Sequence, residues 1–201
     1  MIWHMLNQAG FKTGLMTTVA WGVEKLEPEL GHMTTVDAFT SNQRIRTIAD
    51  KKAEFLVLEV TSQALAEFRT LNIPIEIAVF TNLTHEHLDY HKTFTKYRAA
   101  KGKLFKHAKF SILNADDPAT KYYQKLTSNY STYGIKNGQN RAENIQLKVN
   151  GVKYLYHDMN IETQIPGEFN VYNSLAAAVV GEKLELESQQ IEQGIKSLSS
   201  D

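Results

Sequence analysis

The densest group of chemically capable side chains in the chain is Thr84-His85-Glu86-His87-Leu88-Asp89-Tyr90-His91, which sets three imidazoles and two carboxylates within seven residues. Imidazoles and carboxylates bind divalent cations and carry protons, so this stretch reads as a metal or acid–base site. Two further positions stand out because their chemistry conflicts with their neighbours. Glu59 interrupts the apolar run Phe55-Leu-Val-Leu-Glu-Val60 near its carboxyl end, and a carboxylate inside an apolar strand is costly unless it is paired or bound to a cation. Lys101 shares a helical face with Phe94, Tyr97 and Leu104. Desolvation there disfavours the ammonium, lowers its pKa and exposes a neutral amine to chemistry such as carbamylation by carbon dioxide. The alternative is a lysine that carries its head out to water along an apolar stem. Lys96 and Lys103 read as solvated charges.

The elements that must position these groups follow from periodicity. Ile75–Phe80 has the length and β-branched content of a buried strand, the polar cluster follows it, and a helical period begins at Thr93. In open α/β sheets the junction at the carboxyl end of a strand is where ligands bind. Ile2, Met5, Leu6 and Ala9 form one helical stripe, with Gly10 placed as its cap. Phe11–Val19 reads as a strand and Trp21–Thr35 as a long loop. That loop ends in Met33-Thr34-Thr35-Val36-Asp37 before a helix over Ala38–Lys51. Hydroxyls and free amides there suit an anionic substrate, while plain capping by Asp37 is the other reading. After the strand Phe55–Val60 comes a short helical piece ending at Arg69. Phe110–Leu113 is a further strand, and Asn114-Ala-Asp-Asp-Pro118 leads a helix through about Leu126. Asn150-Gly151 joins Ile145–Val149 to Val152–Tyr156 as a hairpin, and helices follow at about Asn170–Gly181 and Ser188–Leu198. The expected fold is α/β, a mostly parallel sheet flanked by helices with a small antiparallel patch, in one domain over residues 1–201.

Composition bounds the function classes. Twenty-two basic residues balance 22 acidic ones in 201 residues, so there is no global attraction to nucleic acid or an anionic membrane. The absence of cysteine excludes disulfides and thiolate metal sites and is compatible with a cytoplasmic location. No apolar run reaches the roughly 18 residues of a membrane span.

Two families share parts of the central cluster. The T-H-x-H-x-D-H signature of metallo-β-lactamase-like zinc hydrolases is matched through Asp89, then departs with Tyr90 and a late His91. The resemblance to the Mur ligases covers nearly the whole chain. It rests on Thr81-Asn-Leu-Thr-His-Glu-His-Leu-Asp-Tyr-His91 with Arg98-Ala-Ala-Lys101, together with Met33-Thr-Thr35, Glu59-Val-Thr-Ser62, Arg69, Leu113-Asn-Ala-Asp-Asp117 and Phe169-Asn-Val-Tyr-Asn173. It is nearest to the members that add the third residue of the peptidoglycan stem peptide.

The resemblance implies a P-loop-NTPase-like central domain of an ATP-dependent amide ligase. Such an enzyme activates the carboxylate of a UDP-N-acetylmuramoyl peptide as an acyl phosphate and joins it to an amino acid. It further implies that Glu59 and His87 hold Mg2+, with Lys101 supporting that ion as a carbamate. Asn170 and Asn173 would contact the adenine of ATP, and Thr34, Thr35, Thr61 and Arg69 the UDP-sugar substrate. A cytoplasmic monomer is implied as well. Gln63 stands where the family commonly has histidine, Glu67 where glutamine is common and Glu86 where aspartate is usual. Nothing in the chain matches the family's G-x-x-G-K-T-T phosphate loop, which the resemblance places just before the first helix, or its C-terminal domain. The isolated chain is therefore expected to be inactive in ligation. A zinc hydrolase and a non-catalytic nucleotide-binding module are the alternatives.

Overall fold

The computed structural model describes residues 1–29, 34–84 and 88–199, and of Leu88 and Asp89 only the backbone. The chain opens with α1 (Ile2–Gln8), whose Met5 and Leu6 are buried, and Gly10 leaves it with φ 95°, a turn that glycine makes without strain. Next come β1 (Thr13–Met16), β2 (Ala20–Val23), β3 (Lys25–Pro28), α2 (Ala38–Asp50), β4 (Phe55–Leu58), α3 (Ser62–Ala66) and β5 (Ile77–Phe80). The second half holds α4 (Leu88–His91), α5 (Phe94–His107), β6 (Phe110–Asn114), α6 (Thr120–Tyr123), β7 (Tyr130–Gly134) and β8 (Asn140–Arg141). It ends with β9 (Glu143–Lys148), β10 (Gly151–Tyr156), β11 (Met159–Thr163), α7 (Glu168–Lys183) and α8 (Ser188–Lys196).

These strands form three sheets. One runs β3-β2-β1-β4, with β1 and β4 parallel and the β1-β2-β3 pairs antiparallel. A second, β5-β6-β7-β8, is parallel throughout, and the third, β11-β10-β9, is antiparallel. The parallel sheet is covered on both faces, as parallel sheets generally are. On one side Phe80, Phe105, Tyr97 and Tyr123 cluster between β5, β6 and α5–α6; on the other, Ile112 and Tyr133 join Leu175, Val179 and the antiparallel sheet. Helix α7 is buried almost all round, consistent with its central place. Helix α8 crosses α1 closely enough that a Cβ on Gly194 would stand 2.8 Å from the Cα of Met5.

Three sequence expectations need correction. Trp21–Thr35 is not one long loop: β2 and β3 form a hairpin that turns at Glu24, with φ 59°. The outer strand of that hairpin is an edge, where Lys25, Glu27 and Pro28 are tolerated because one side needs no ladder partner. That composition hid the strand. β11 escaped notice because it is reached through His157-Asp158, where His157 takes φ 51° without the usual asparagine–glycine signal. Finally, Glu59 is exposed and lies one residue past β4 rather than inside an apolar strand. The ladder ends at Leu58, at the rim of the sheet, so the carboxylate escapes the desolvation that its neighbours in sequence suggested.

Candidate active site

The carboxyl end of β4 gathers a polar network from four separated segments. Glu59 Oε2 accepts the backbone N–H of Thr18 at 2.9 Å, and the Thr18 hydroxyl lies 2.9 Å from the same oxygen and 2.8 Å from Thr34 Oγ1. Thr35 is buried; its hydroxyl donates to the Glu59 carbonyl at 3.1 Å and accepts the Thr61 N–H at 3.1 Å. Thr61 in turn caps α3, its Oγ1 accepting from Ala64 N at 3.2 Å. Arg69 donates from Nη1 to the Thr35 carbonyl at 2.8 Å and from Nε to Glu67 at 2.8 Å. The Glu67 carboxylate also accepts from Gln63 at 3.0 Å and from the Tyr90 hydroxyl at 2.9 Å; these bonds, Gln63 first, hold its pKa below the usual range. Thr34, Thr35, Glu59, Thr61 and Arg69, distant in sequence, therefore meet in one connected unit. Asp37 remains a cap in its own right, accepting Phe39 N at 2.9 Å and Thr40 N at 3.0 Å.

Lys101 comes from the facing element. Its side chain on α5 is half-buried, and burial lowers its pKa, opposed by the charge of Asp117. Its Nζ stands 5.7 Å from the centroid of the Tyr97 ring. Tyr97 stacks on His91 at 5.2 Å, and His91 Nε2 is 2.8 Å from the Ser62 hydroxyl beside Thr61. This aromatic path ties α5 back to the β4 network. Glu59 and Lys101 both line a single cleft of about 1010 Å³ that also reaches Thr81 at the end of β5. His87, with His85 and Glu86, lies outside the described residues. Among the described residues no three His, Cys, Asp or Glu side chains cluster as a metal site. Lys103 proves not to be a freely solvated charge: it is half-buried, donates to the Leu65 carbonyl at 3.1 Å and lies 4.0 Å from the Phe68 ring centroid. That carbonyl belongs to the last turn of α3, which lacks helical partners for its C=O groups.

A second unit surrounds the start of α7. Asn170 is buried, donating to the Pro166 carbonyl at 2.8 Å and accepting from Asn173 Nδ2 at 3.2 Å, whereas Asn173 is exposed. Asn170 thus orients Asn173, which presents the amide. Tyr172 from the same turn bonds Asp116 Oδ2 at 2.9 Å, and Asp116 also accepts the N–H groups of Ile135, Lys136 and Asn137 at 2.7–2.9 Å. Burial pushes the Asp116 carboxyl up, but the Lys136 and Ile135 amides and the Tyr172 hydroxyl outweigh it, so its pKa is lowered. Asp117 joins the two carboxyl ends of β5 and β6: Oδ2 accepts Leu83 N at 2.7 Å, while Asn114 Nδ2 donates to Thr81 O at 2.6 Å.

Sequence reasoning did not single out Thr18. A hydroxyl just past a strand gives only a faint signal, and its partnership with Glu59 exists because β1 and β4 are neighbours in register, Met16 beside Leu58.

Parallel α/β strands with carboxylates, hydroxyls and an amine collected where they end define a domain of the open α/β class, in which ligand sites lie at the carboxyl ends of strands. The match to known sequences is specific: residues 1–181 fit the family model "Mur ligase middle domain", and the chain belongs to that family. It is 37% identical over 181 residues to a UDP-N-acetylmuramoyl-L-alanyl-D-glutamate--2,6-diaminopimelate ligase of Clostridium botulinum, covering 86% of this chain and 37% of that protein. It is 38% identical over 194 residues to the ligase of the same name from Geobacillus thermodenitrificans, covering 87% of this chain and 39% of the relative. A solved structure bearing that ligase name superposes with a TM-score of 0.90 at 25% identity, over 100% of this chain and 43% of that one. The chain therefore spans about two-fifths of the length of these relatives. The fold expectation is met, and the zinc-hydrolase alternative gives way to this family. The two departures from the family pattern at Gln63 and Glu67 prove to be hydrogen-bonded to each other. Among the described residues, no helix is long and apolar enough to cross a membrane.

Proposed function

We propose that this chain is the nucleotide-handling part of an ATP-dependent amide ligase that joins an amino acid to a UDP-N-acetylmuramoyl peptide in peptidoglycan synthesis. The observation that carries this reading, beside family membership, is that Glu59 and Lys101 open onto one cleft where β4 and β5 end. An exposed carboxylate steadied by Thr18 and a desolvated amine form a donor set that fits Mg2+ once the amine is carbamylated, with His87 adding an imidazole. Bound MgATP supplies the phosphoryl group that activates the peptide carboxylate.

The chain's own residues then have separable tasks. Glu59 holds the cation, and Thr18 keeps its carboxylate in one orientation. Lys101, whose pKa burial lowers, is the amine whose nitrogen bonds the carbon of carbon dioxide and releases a proton to water, leaving a carbamate anion. Thr34 faces the UDP-sugar, and Arg69, whose guanidinium is held by Glu67 and the Thr35 carbonyl, reaches a pyrophosphate only by exchanging Glu67 for it. Thr35 and Thr61, whose polar groups are engaged with Glu59 and α3, set the spacing of that unit. Asn173 meets the adenine edge, and Asn170 orients it. The reading includes a monomer acting in the cytoplasm, where ATP is available, with no nucleic-acid partner.

In the longer protein, Glu59→Gln and Lys101→Met should each lower ATP-dependent ligation by about 10²-fold or more, since each removes support for transition-state charge. The thermal midpoint should stay close to the parent value. Ligation at the parent rate in both variants refutes the assignment. The 201-residue chain alone should bind nucleotide weakly in a Mg2+-dependent manner and form no amide.

A further inference from the structure

The guanidinium fork of Arg69 already holds an anion, and that anion comes from the chain itself. Nε and Nη2 of Arg69 converge on one oxygen of Glu67, Oε2, with Nε at 2.8 Å. The other oxygen, Oε1, accepts from Gln63 Nε2 at 3.0 Å and from the Tyr90 hydroxyl at 2.9 Å. A carboxylate has about four lone-pair sites, and two donors reach each oxygen of this one, so all are in use. These bonds, that from Gln63 first, lower the pKa of Glu67, which is therefore ionised at neutral pH. Nη1 of Arg69 donates to the Thr35 carbonyl at 2.8 Å, which ties the guanidinium to the unit built on Thr35 and Glu59. Glu67 and Gln63 both depart from the family pattern, and the second departure supplies a donor that holds the first.

Glu67 is a strong competitor for the fork because it is tethered two residues away. Its effective concentration is that of an intramolecular partner, on the order of millimolar or more. A free carboxylate offers Arg69 an acceptor of equal charge without that advantage. A diphosphate carries two negative charges, and its attraction to the guanidinium is correspondingly larger. Glu67 can give up Oε2 and keep Gln63 and Tyr90 on Oε1, so the exchange leaves its charge hydrogen-bonded. A glutamine at this position would be neutral and would yield the fork to either kind of ligand.

We propose that Glu67 is a specificity-determining residue, a resident anion that closes the fork of Arg69 to singly charged groups and yields it to a diphosphate. This role rests on the ligase reading, in which Arg69 meets the pyrophosphate of the UDP-sugar. It adds that the affinity for that substrate is set by an exchange of anions within the chain.

The test follows the Nε–H resonance of Arg69 by nitrogen–proton NMR, assigned through Arg69→Lys, in the parent chain and in Glu67→Gln. Glu67 is exposed, so the substitution removes the charge without touching the core. Inorganic pyrophosphate should move the resonance in both proteins and bind about fivefold more tightly to Glu67→Gln, the upper end of what an exposed ion pair contributes. Acetate should move it in Glu67→Gln and leave the parent unchanged. A UDP-N-acetylmuramoyl peptide, titrated by calorimetry, should show the same gain as pyrophosphate and lose it when Arg69→Met is added to Glu67→Gln. A Glu67 that merely holds Arg69 in place predicts the reverse, weaker pyrophosphate binding in both Glu67→Gln and Glu67→Ala, and that result overturns the proposal. So does a parent chain whose Arg69 responds to acetate as it does to pyrophosphate. Pyrophosphate that follows the expected pattern, with a UDP-peptide that binds every variant alike, upholds the role of Glu67 and refutes the place of Arg69 in the ligase reading.

Discussion

Replacing Thr35 by valine keeps the shape of the side chain and removes one hydroxyl, which tests whether that residue serves the substrate or the scaffold. The hydroxyl is buried and makes two bonds, donating to the Glu59 carbonyl and accepting the Thr61 N–H, both at 3.1 Å. Each such bond contributes about 1–1.5 kcal/mol net, and its loss leaves a backbone group unpaired. Two of them amount to about 2–3 kcal/mol, against which the added methyl returns about 0.8 kcal/mol of apolar burial. The net loss is about 2 kcal/mol, or about 4–8 °C in the thermal midpoint of a chain this size. Thr35→Ser keeps both bonds and gives up one methyl, a loss of about 1 kcal/mol. Thermal and urea denaturation of parent, Thr35→Val and Thr35→Ser settle the point. A valine variant as stable as the parent, or a serine variant that falls as far as valine, would refute the reasoning.

Four other outcomes are expected. Gly194→Ala places a methyl 2.8 Å from the Cα of Met5, so α1 and α8 must separate; urea denaturation should show about 1–3 kcal/mol lost, and a neutral result would mean that the helices shift freely. Asp116→Asn removes a carboxylate that accepts three backbone N–H groups. Because the folded pKa is below the unfolded one, the stability it contributes is present above about pH 3.9 and is lost as pH falls through the folded pKa. Parent and variant should therefore differ in urea midpoint at pH 7 and converge toward pH 2, and a gap that is independent of pH would be the wrong result. Lys101, its pKa lowered by burial, should titrate below the ordinary lysine value in competitive amine labelling read by mass spectrometry; a midpoint at the ordinary lysine value would remove the basis for its reactivity. Tyr133→Phe removes a buried hydroxyl that donates to the Phe80 carbonyl at 3.0 Å and should lower the thermal midpoint with a loss of about 1 kcal/mol, whereas an unchanged midpoint would show that carbonyl to be otherwise paired.

The sequence carried its information unevenly. Long periodic segments announced themselves: α5, α7 and α8 fall where helical spacing placed them, because a helix records its buried face every three or four residues. β2, β3 and β11 did not, since an edge strand with charges and a turn without glycine lack the local marks of their type. Glu59 was found for an incomplete reason. Its neighbours in sequence are apolar, yet the strand stops before it and leaves it in solvent.

What the sequence determined by itself was the identity of the chemistry: which carboxylate, which amine and which hydroxyls exist, and the order of motifs that marks the family. Residue types and spacing are written in the chain, and they survive any uncertainty about where strands begin. What only the tertiary structure decided was which of these groups share a space. Thr18 reaches Glu59 across 41 positions because β1 and β4 lie side by side. Glu59 and Lys101 meet one cleft because β4 and β5, each the last strand of its sheet, both border it. The pairing of strands is a contest among non-local contacts, and no local pattern of residues records which one wins.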